Sequence, residues 1–169
     1  MGYNWRESLG DYAQVSGVLA GFCFALIVFV LSWNTPVCST SIYGWVTYRD
    51  VSVLLIGIAS VLFIASMEFF MTAKEFDPWG LPDRWYKYIV KNTSKREWKK
   101  REEADNTLCR SYEKLGRRSY NIAIFFVFIG FFFVIAPFNG AVATLVSGLG
   151  IFVELVQVTK GITLASKRS

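Results

Sequence analysis

Four apolar runs, each about as long as a bilayer is thick, most constrain the fold of this 169-residue chain. They extend over residues 12–33, 51–73, 119–136 and 141–160. A helix crosses the hydrocarbon layer with about 20 apolar residues, and it satisfies its own backbone hydrogen bonds in lipid. The sequence therefore predicts an all-α membrane protein with four transmembrane helices, arranged as two hairpins.

One long polar segment separates the two apolar pairs and carries most of the basic residues. Of the 18 Lys and Arg residues, 13 lie between Lys74 and Ser119, whereas the two short connections hold only Arg49. Basic residues accumulate on the cytoplasmic side of membranes. We therefore predict a first transmembrane hairpin (1–73), a basic cytoplasmic helical segment (74–118) and a second hairpin with its tail (119–169). Both termini are then cytoplasmic.

Two helices are predicted within the polar segment. Residues 82–91 have an apolar and a basic face, which is typical of a helix lying on the membrane surface, and packing on the protein's own loops is the alternative. The capping box of Ser94 and Glu97 starts a second helix, which we expect to end at Gly116. In that helix Glu113 and Arg117 are spaced for an ion pair.

The second of these helices has a narrow apolar face. This face is formed by Trp98, Leu108, Tyr112 and Leu115. A narrow apolar face is typical of contact with one partner surface rather than of a buried core. We predict that it is a cytoplasmic interaction face, and that the basic residues near it attract anionic lipid head groups.

Small residues predict close helix packing in the first and fourth runs. Ala13, Gly17, Gly21 and Ala25 are spaced by four in the first run, and Ser147 and Gly150 share a face of the fourth. In lipid, helices gain from the close backbone approach that small residues permit. We expect contacts within the bundle or across a symmetry axis, in a homo-oligomer or with a partner membrane subunit.

Two glutamates lie inside apolar runs. In the predicted orientation, Glu68 and Glu154 share one depth in the inner third of the membrane, with Gln14, Asn121 and Gln157 near the same level. Intramembrane carboxylates are costly and are often functional. Three hypotheses stay open: an inner vestibule for a cation or proton, a buried polar network, or side chains that reach the inner interface.

Catalytic and metal chemistry is disfavoured. The chain has no His and three scattered cysteines, Cys23, Cys38 and Cys109. His is the commonest general base and metal ligand in proteins. We therefore predict a protein that is not an enzyme, with no cofactor and no nucleic-acid partner. The expected function is that of an interaction, accessory or scaffold subunit. The alternative is a homo-oligomeric ion channel or permeation protein with Glu68 and Glu154 near an inner vestibule.

The first connection, residues 34–50, is predicted to be a loop. It contains Tyr43, Trp45 and Tyr48 and follows directly on Trp33. Tyr and Trp are enriched where membrane meets water, so these residues suit the interface.

Overall fold

The chain forms four long helices and one β-hairpin in the computed structural model, which describes residues 7–32, 41–76 and 95–166. The elements are α1 (Glu7–Ser32), β1 (Ser41–Tyr43), β2 (Val46–Thr47), α2 (Tyr48–Glu75), α3 (Lys95–Ile135) and α4 (Gly140–Ser166). Three helices contain stretches long and apolar enough to cross a membrane: Leu9–Ser32, Tyr48–Glu75 and Lys99–Ile135. In α4 the apolar stretch is shorter, Gly140–Val156. These findings support the predicted helical membrane protein, with three candidate spans.

Helix α3 is continuous over 41 residues, so the predicted break at Gly116 is wrong. A Cβ atom added at Gly116 would lie 3.1 Å from three atoms of the Phe70 ring in α2. Glycine costs a helix interior only about 1 kcal/mol relative to alanine, and tertiary packing overrides a preference of that size. Gly116 therefore permits close packing of α3 rather than ending it. The charged and apolar sequences that we predicted as separate helices form one helix.

The buried positions of the first three helices recur at intervals of three and four, or of seven. In α2 they are Ser52, Ile56, Ala59, Phe63, Ser66, Phe70 and Ala73, with Ser60 also buried directly beside Ala59. In α3 they are Cys109, Gly116, Ala123 and Gly130, all of them small. This spacing is typical of helices that pack side by side with a left-handed twist. The small residues of α3 let its backbone come close to α2.

The described residues form two compact units, and α1, α2 and α3 each contribute to both. The first unit combines α1 up to Gly17, α2 from Ile64 and α3 up to Ser119. The second combines the rest of these helices with the β-hairpin and α4. Contacts thus group the chain differently from the three regions predicted along the sequence. The predicted surface helix at 82–91 and the capping residue Ser94 lie outside the described residues.

Aromatic and small side chains form the core of the first unit. Its buried members are Leu9, Ala13, Phe70, Ala73 and Cys109, and Tyr12, Met67, Phe76 and Tyr112 pack against them. Tyr12 stacks on Phe70 with ring centroids 5.3 Å apart. All three helices therefore contribute to this core.

The second unit has its own core and a close contact between α3 and α4. Its buried members are Ala20, Cys23, Ile56, Ala59, Phe63 and Ala123. A Cβ atom added at Gly150 of α4 would overlap the Phe128 ring of α3. A turn follows α3, and the Asn139 side chain then caps α4 by accepting a hydrogen bond from the Val142 amide at 3.1 Å. The four residues between the helices thus bring α4 directly back onto α3.

The connection that we predicted as a loop contains an antiparallel β-hairpin. Ser41 pairs with Thr47 and Tyr43 with Val46, with an irregular register between Ser41 and Tyr43. The turn contains Gly44 at a φ of 57°, a conformation that glycine adopts without strain. The glycine between β-branched and aromatic residues was the signal that sequence analysis missed.

Candidate functional site

The side chains of the predicted cytoplasmic interaction face do not all point the same way on α3. Leu108 and Leu115 are exposed, at 41% and 42%. Tyr112 instead stacks on Phe76 at the end of α2, with ring centroids 5.7 Å apart and ring planes 2° from parallel. Trp98 lies on α3, but its side chain is outside the described residues. Of the side chains described, only Leu108 and Leu115 are therefore presented outward.

These two leucines begin a longer exposed stripe. Ile122 and Ile129 continue it at intervals of seven, with 48% and 36% of their surface exposed. Residues seven apart lie almost above one another on an α-helix, drifting by about 20° per interval. We call Leu108 and Leu115 the exposed α3 leucines, because they alone lie in the charged part of the helix.

The N-terminal end of α3 lies beyond the core of the first unit. From Lys95 to Leu108, no side chain of described exposure is buried, and the first buried residue is Cys109. At about 1.5 Å per residue, this stretch is about 20 Å long. Its five basic and four acidic residues nearly cancel. It is thus a nearly neutral, exposed helical arm.

The basic excess of α3 lies closer to the apolar sequence. Residues 110–118 contain one acid, Glu113, and four basic residues, Arg110, Lys114, Arg117 and Arg118. The predicted ion pair is confirmed, with Arg117 and Glu113 2.8 Å apart. The Arg117 guanidinium also lies 5.4 Å from the centre of the Tyr12 ring in α1. The net positive charge of this helix is therefore concentrated in residues 110–118, the basic collar, rather than in the arm.

The small residues of α1 differ in their surroundings. Ala13 is buried, and a Cβ atom added at Gly17 would lie 3.1 Å from the Met67 sulfur. Gly21 has open space around it, and Ala25 is exposed. A spacing of four turns the helix by about 40° more than one full turn at each step, because there are about 3.6 residues per turn. The row therefore rotates from the buried side of α1 to its exposed side.

A buried polar face lies on α4. Ser147 and Glu154 are only 4% and 6% exposed, and Ala143 on the same face is fully buried. Gly150 lies between them, against Phe128. Within the described part of the chain, the Ser147 hydroxyl has no hydrogen-bond partner. A buried acid and a buried hydroxyl thus share one face within the apolar stretch of this helix.

The other residues of the predicted polar group are placed differently. Glu68 and Gln14 are exposed and belong to the first unit, whereas Asn121 is half-buried and belongs, like Glu154, to the second. The Gln157 side chain is outside the described residues. The two glutamates therefore differ in exposure and lie in different units.

A serine cluster that sequence analysis missed connects the three helices of the first unit. The Ser66 hydroxyl of α2 donates to the Gly116 carbonyl of α3 at 2.9 Å. Ser66 and Ser16 of α1 lie 3.3 Å apart, oxygen to oxygen, and Ser16 also donates to the Tyr12 carbonyl. The buried spacing of three and four in α2 includes Ser52 and Ser66, which was the available signal.

The described residues contain no group of three or more His, Cys, Asp or Glu side chains that could hold a metal ion. No protein-family model, curated protein sequence or solved structure matches the chain.

Proposed function

We propose that this chain is a non-enzymatic integral membrane protein that acts through helix association, as an accessory or scaffold subunit. The observation that supports this function best is the exposed arm of α3 with the exposed α3 leucines beside it. Leu108 and Leu115 lie in a charged stretch, where apolar side chains gain by binding another protein surface. Both leucines lie on the same continuous helix of 41 residues as the apolar sequence.

The proposed topology has four transmembrane helices in two hairpins. Residues 119–135 of α3 span about 25 Å, which is close to the hydrocarbon thickness, and the charged remainder lies in the cytoplasm. Helix α4 crosses with its apolar stretch, Gly140–Val156. The excess of Lys and Arg between Lys74 and Ser119 supports this orientation, with both termini cytoplasmic.

The proposed partners are a second copy of this chain or another membrane subunit, together with anionic lipid. The protein contact uses the exposed α3 leucines. Lipid head groups bind the basic collar, where each basic residue contributes about 1 kcal/mol near an anionic surface. The two contacts therefore use different parts of α3.

A photo-crosslinking amino acid at Leu108 or Leu115 tests the protein contact. We expect discrete adducts in intact membranes from both positions, identified by mass spectrometry. The matched control is Arg110, which is exposed on another face of the same helix. A Leu115→Asp change should remove the adduct from position 108. If position 108 gives the same adducts as position 110, or none, helix association through this face is wrong.

Buried Glu154 supports a second candidate, a homo-oligomeric ion channel with an inner vestibule. Glu154 is 6% exposed in an apolar helix, a setting in which acids commonly belong to ion or proton pathways. Ion flux into proteoliposomes tests it, comparing wild type with Glu154→Gln and with Glu68→Gln, whose side chain is exposed. Flux that falls in Glu154→Gln supports a channel. No flux from folded protein excludes a channel formed by this chain alone.

A further inference from the structure

The β-hairpin between α1 and α2 exposes apolar and aromatic side chains at its tip. Tyr43 is 86% exposed, Trp45 is 90% exposed, and Ile42 beside them is 42% exposed. The helix association proposed above does not use them. Three such side chains together in water are unfavourable, because most of their apolar surface stays hydrated.

Local hydrogen bonds hold the hairpin in a defined shape. Gly44 occupies the first position of the two-residue turn with φ of 57°, as tight hairpin turns of this kind require. The Ser41 hydroxyl donates to the Gly44 carbonyl at 2.6 Å and braces the turn. Tyr43 therefore directly precedes the turn, and Trp45 occupies its second position.

The hairpin is also joined directly to α2. Strand β2 ends at Thr47 and α2 begins at Tyr48, so no linker residue intervenes. Thr47 and Asp50 form a reciprocal cap: the Asp50 carboxylate accepts from the Thr47 amide at 3.0 Å, and the Thr47 hydroxyl accepts from the Asp50 amide at 3.2 Å. This cap fixes the start of α2 against the end of the hairpin.

These connections limit how far the tip lies from the apolar part of α2. Three strand residues extend about 10 Å, and the head-group layer adds about 5–8 Å on each side of the hydrocarbon. Leu54, only four residues after the Asp50 cap, is 63% exposed and belongs to a candidate span. The aromatic tip is thus within reach of the layer where Trp and Tyr are enriched.

We propose that Ile42, Tyr43 and Trp45 insert into the lipid head-group layer at the α1–α2 end of the protein and fix the depth of α2. The partner is uncharged or zwitterionic lipid, because Arg49 and Asp50, the only charged residues from Ser41 to Asp50, cancel. Within the second unit, to which the hairpin belongs, further apolar side chains are exposed on α1 and α2, at Val28, Phe29 and Leu54. The lipid-facing surface therefore extends from these helices to the tip.

A nitroxide label at Tyr43→Cys tests this insertion in vesicles of pure phosphatidylcholine. The three native cysteines are replaced by alanine, and collision with oxygen is compared with collision with a water-soluble nickel complex. Labels at Ala104→Cys, exposed on the α3 arm, and Leu149→Cys, 63% exposed on α4, give water and lipid references. We expect an oxygen-to-nickel ratio at position 43 several-fold above that at position 104 and below that at position 149.

A second change checks that Trp45 causes the insertion. Trp45→Ser should lower the ratio at position 43 toward the water reference, because it removes the larger exposed ring without disturbing the turn glycine. A ratio at position 43 equal to that at position 104 overturns the proposal. So does protection of position 43 from both reagents, since this would place the tip against protein, such as a second copy, rather than lipid.

Discussion

At the residue scale, the hydrogen bonds of Ser66 give the most direct test of how the first unit is held together. Ser66→Ala removes the donor to the Gly116 carbonyl and the contact with Ser16. Interhelical hydrogen bonds within membranes average about 0.6 kcal/mol and reach about 1.7 kcal/mol. We expect the free energy of unfolding in mild detergent to fall by an amount in that range.

The matched control for Ser66→Ala is Ser111→Ala. The Ser111 hydroxyl bonds only within its own helix, to the Thr107 carbonyl, and the residue is exposed. Its replacement should change the free energy of unfolding by a few tenths of a kcal/mol at most. Equal losses from the two changes would show that the contact between helices contributes nothing specific.

Gly130 gives a second prediction, which concerns steric fit. A Cβ atom there would lie 2.7 Å from Cγ1 of Ile56, an atom close to the α2 backbone that has little room to move. Overfilling a packed interface costs about 1–3 kcal/mol. We expect Gly130→Ala to lower the Tm measured by circular dichroism in detergent. Gly148→Ala, in open space on α4, should leave the Tm unchanged or raise it slightly. A Tm for Gly130→Ala at or above wild type would refute the close contact.

The placement of individual residues could be predicted only in part. Helical periodicity predicts the face of α4 that carries Ser147, Gly150 and Glu154. Ser147 and Glu154 are buried in the structure, and Gly150 is half-buried. Periodicity does not tell which neighbour a small residue meets. Gly17 meets Met67 while Gly21 meets nothing within 4 Å, although one turn separates them. That difference depends on where the adjacent helix lies, which one helix's sequence does not contain.

At the scale of elements, the continuity of α3 is the main difference from the sequence prediction. We predicted a helix boundary at Gly116, shortly before the sequence changes from charged to apolar near Ser119. Helix formation depends on backbone hydrogen bonds and packing, and both continue through this point. The β-hairpin was missed for a related reason, since strands of three and two residues give almost no periodic signal.

Distance measurement by pulsed electron spin resonance tests the continuity of α3. Spin labels at Arg101→Cys and Ile129→Cys, in a background without native cysteines, are 28 residues apart on one helix. We expect a narrow distribution near about 42 Å, because an uninterrupted helix rises about 1.5 Å per residue. The pair Arg101→Cys and Leu115→Cys, which does not cross Gly116, supplies the width expected of a single helix. A clearly broader or shorter distribution for the long pair would indicate a bend at Gly116.

At the scale of the whole molecule, the β-hairpin and the polar part of α3 differ in charge. The hairpin end carries Arg49 and Asp50, which cancel, whereas the collar and arm of α3 carry nine Lys and Arg residues. Positively charged connections remain on the cytoplasmic side during insertion, since moving them across the membrane is unfavourable. The same asymmetry therefore predicts that Ala104 of α3 and Tyr43 of the β-hairpin lie on opposite sides of the membrane.

Labelling with a membrane-impermeant maleimide tests this topology in intact cells. Both Tyr43 and Ala104 are exposed positions, so each accepts a cysteine without entering a core. With native Cys38 replaced by alanine, we expect Tyr43→Cys to react in intact cells and Ala104→Cys to react only after permeabilisation. Cys109, which is 1% exposed, should stay unreacted in the folded protein and controls for unfolding. Reaction of positions 43 and 104 from the same side would contradict the topology. Reaction of position 104 in intact cells would in addition place the exposed α3 leucines away from any cytoplasmic partner.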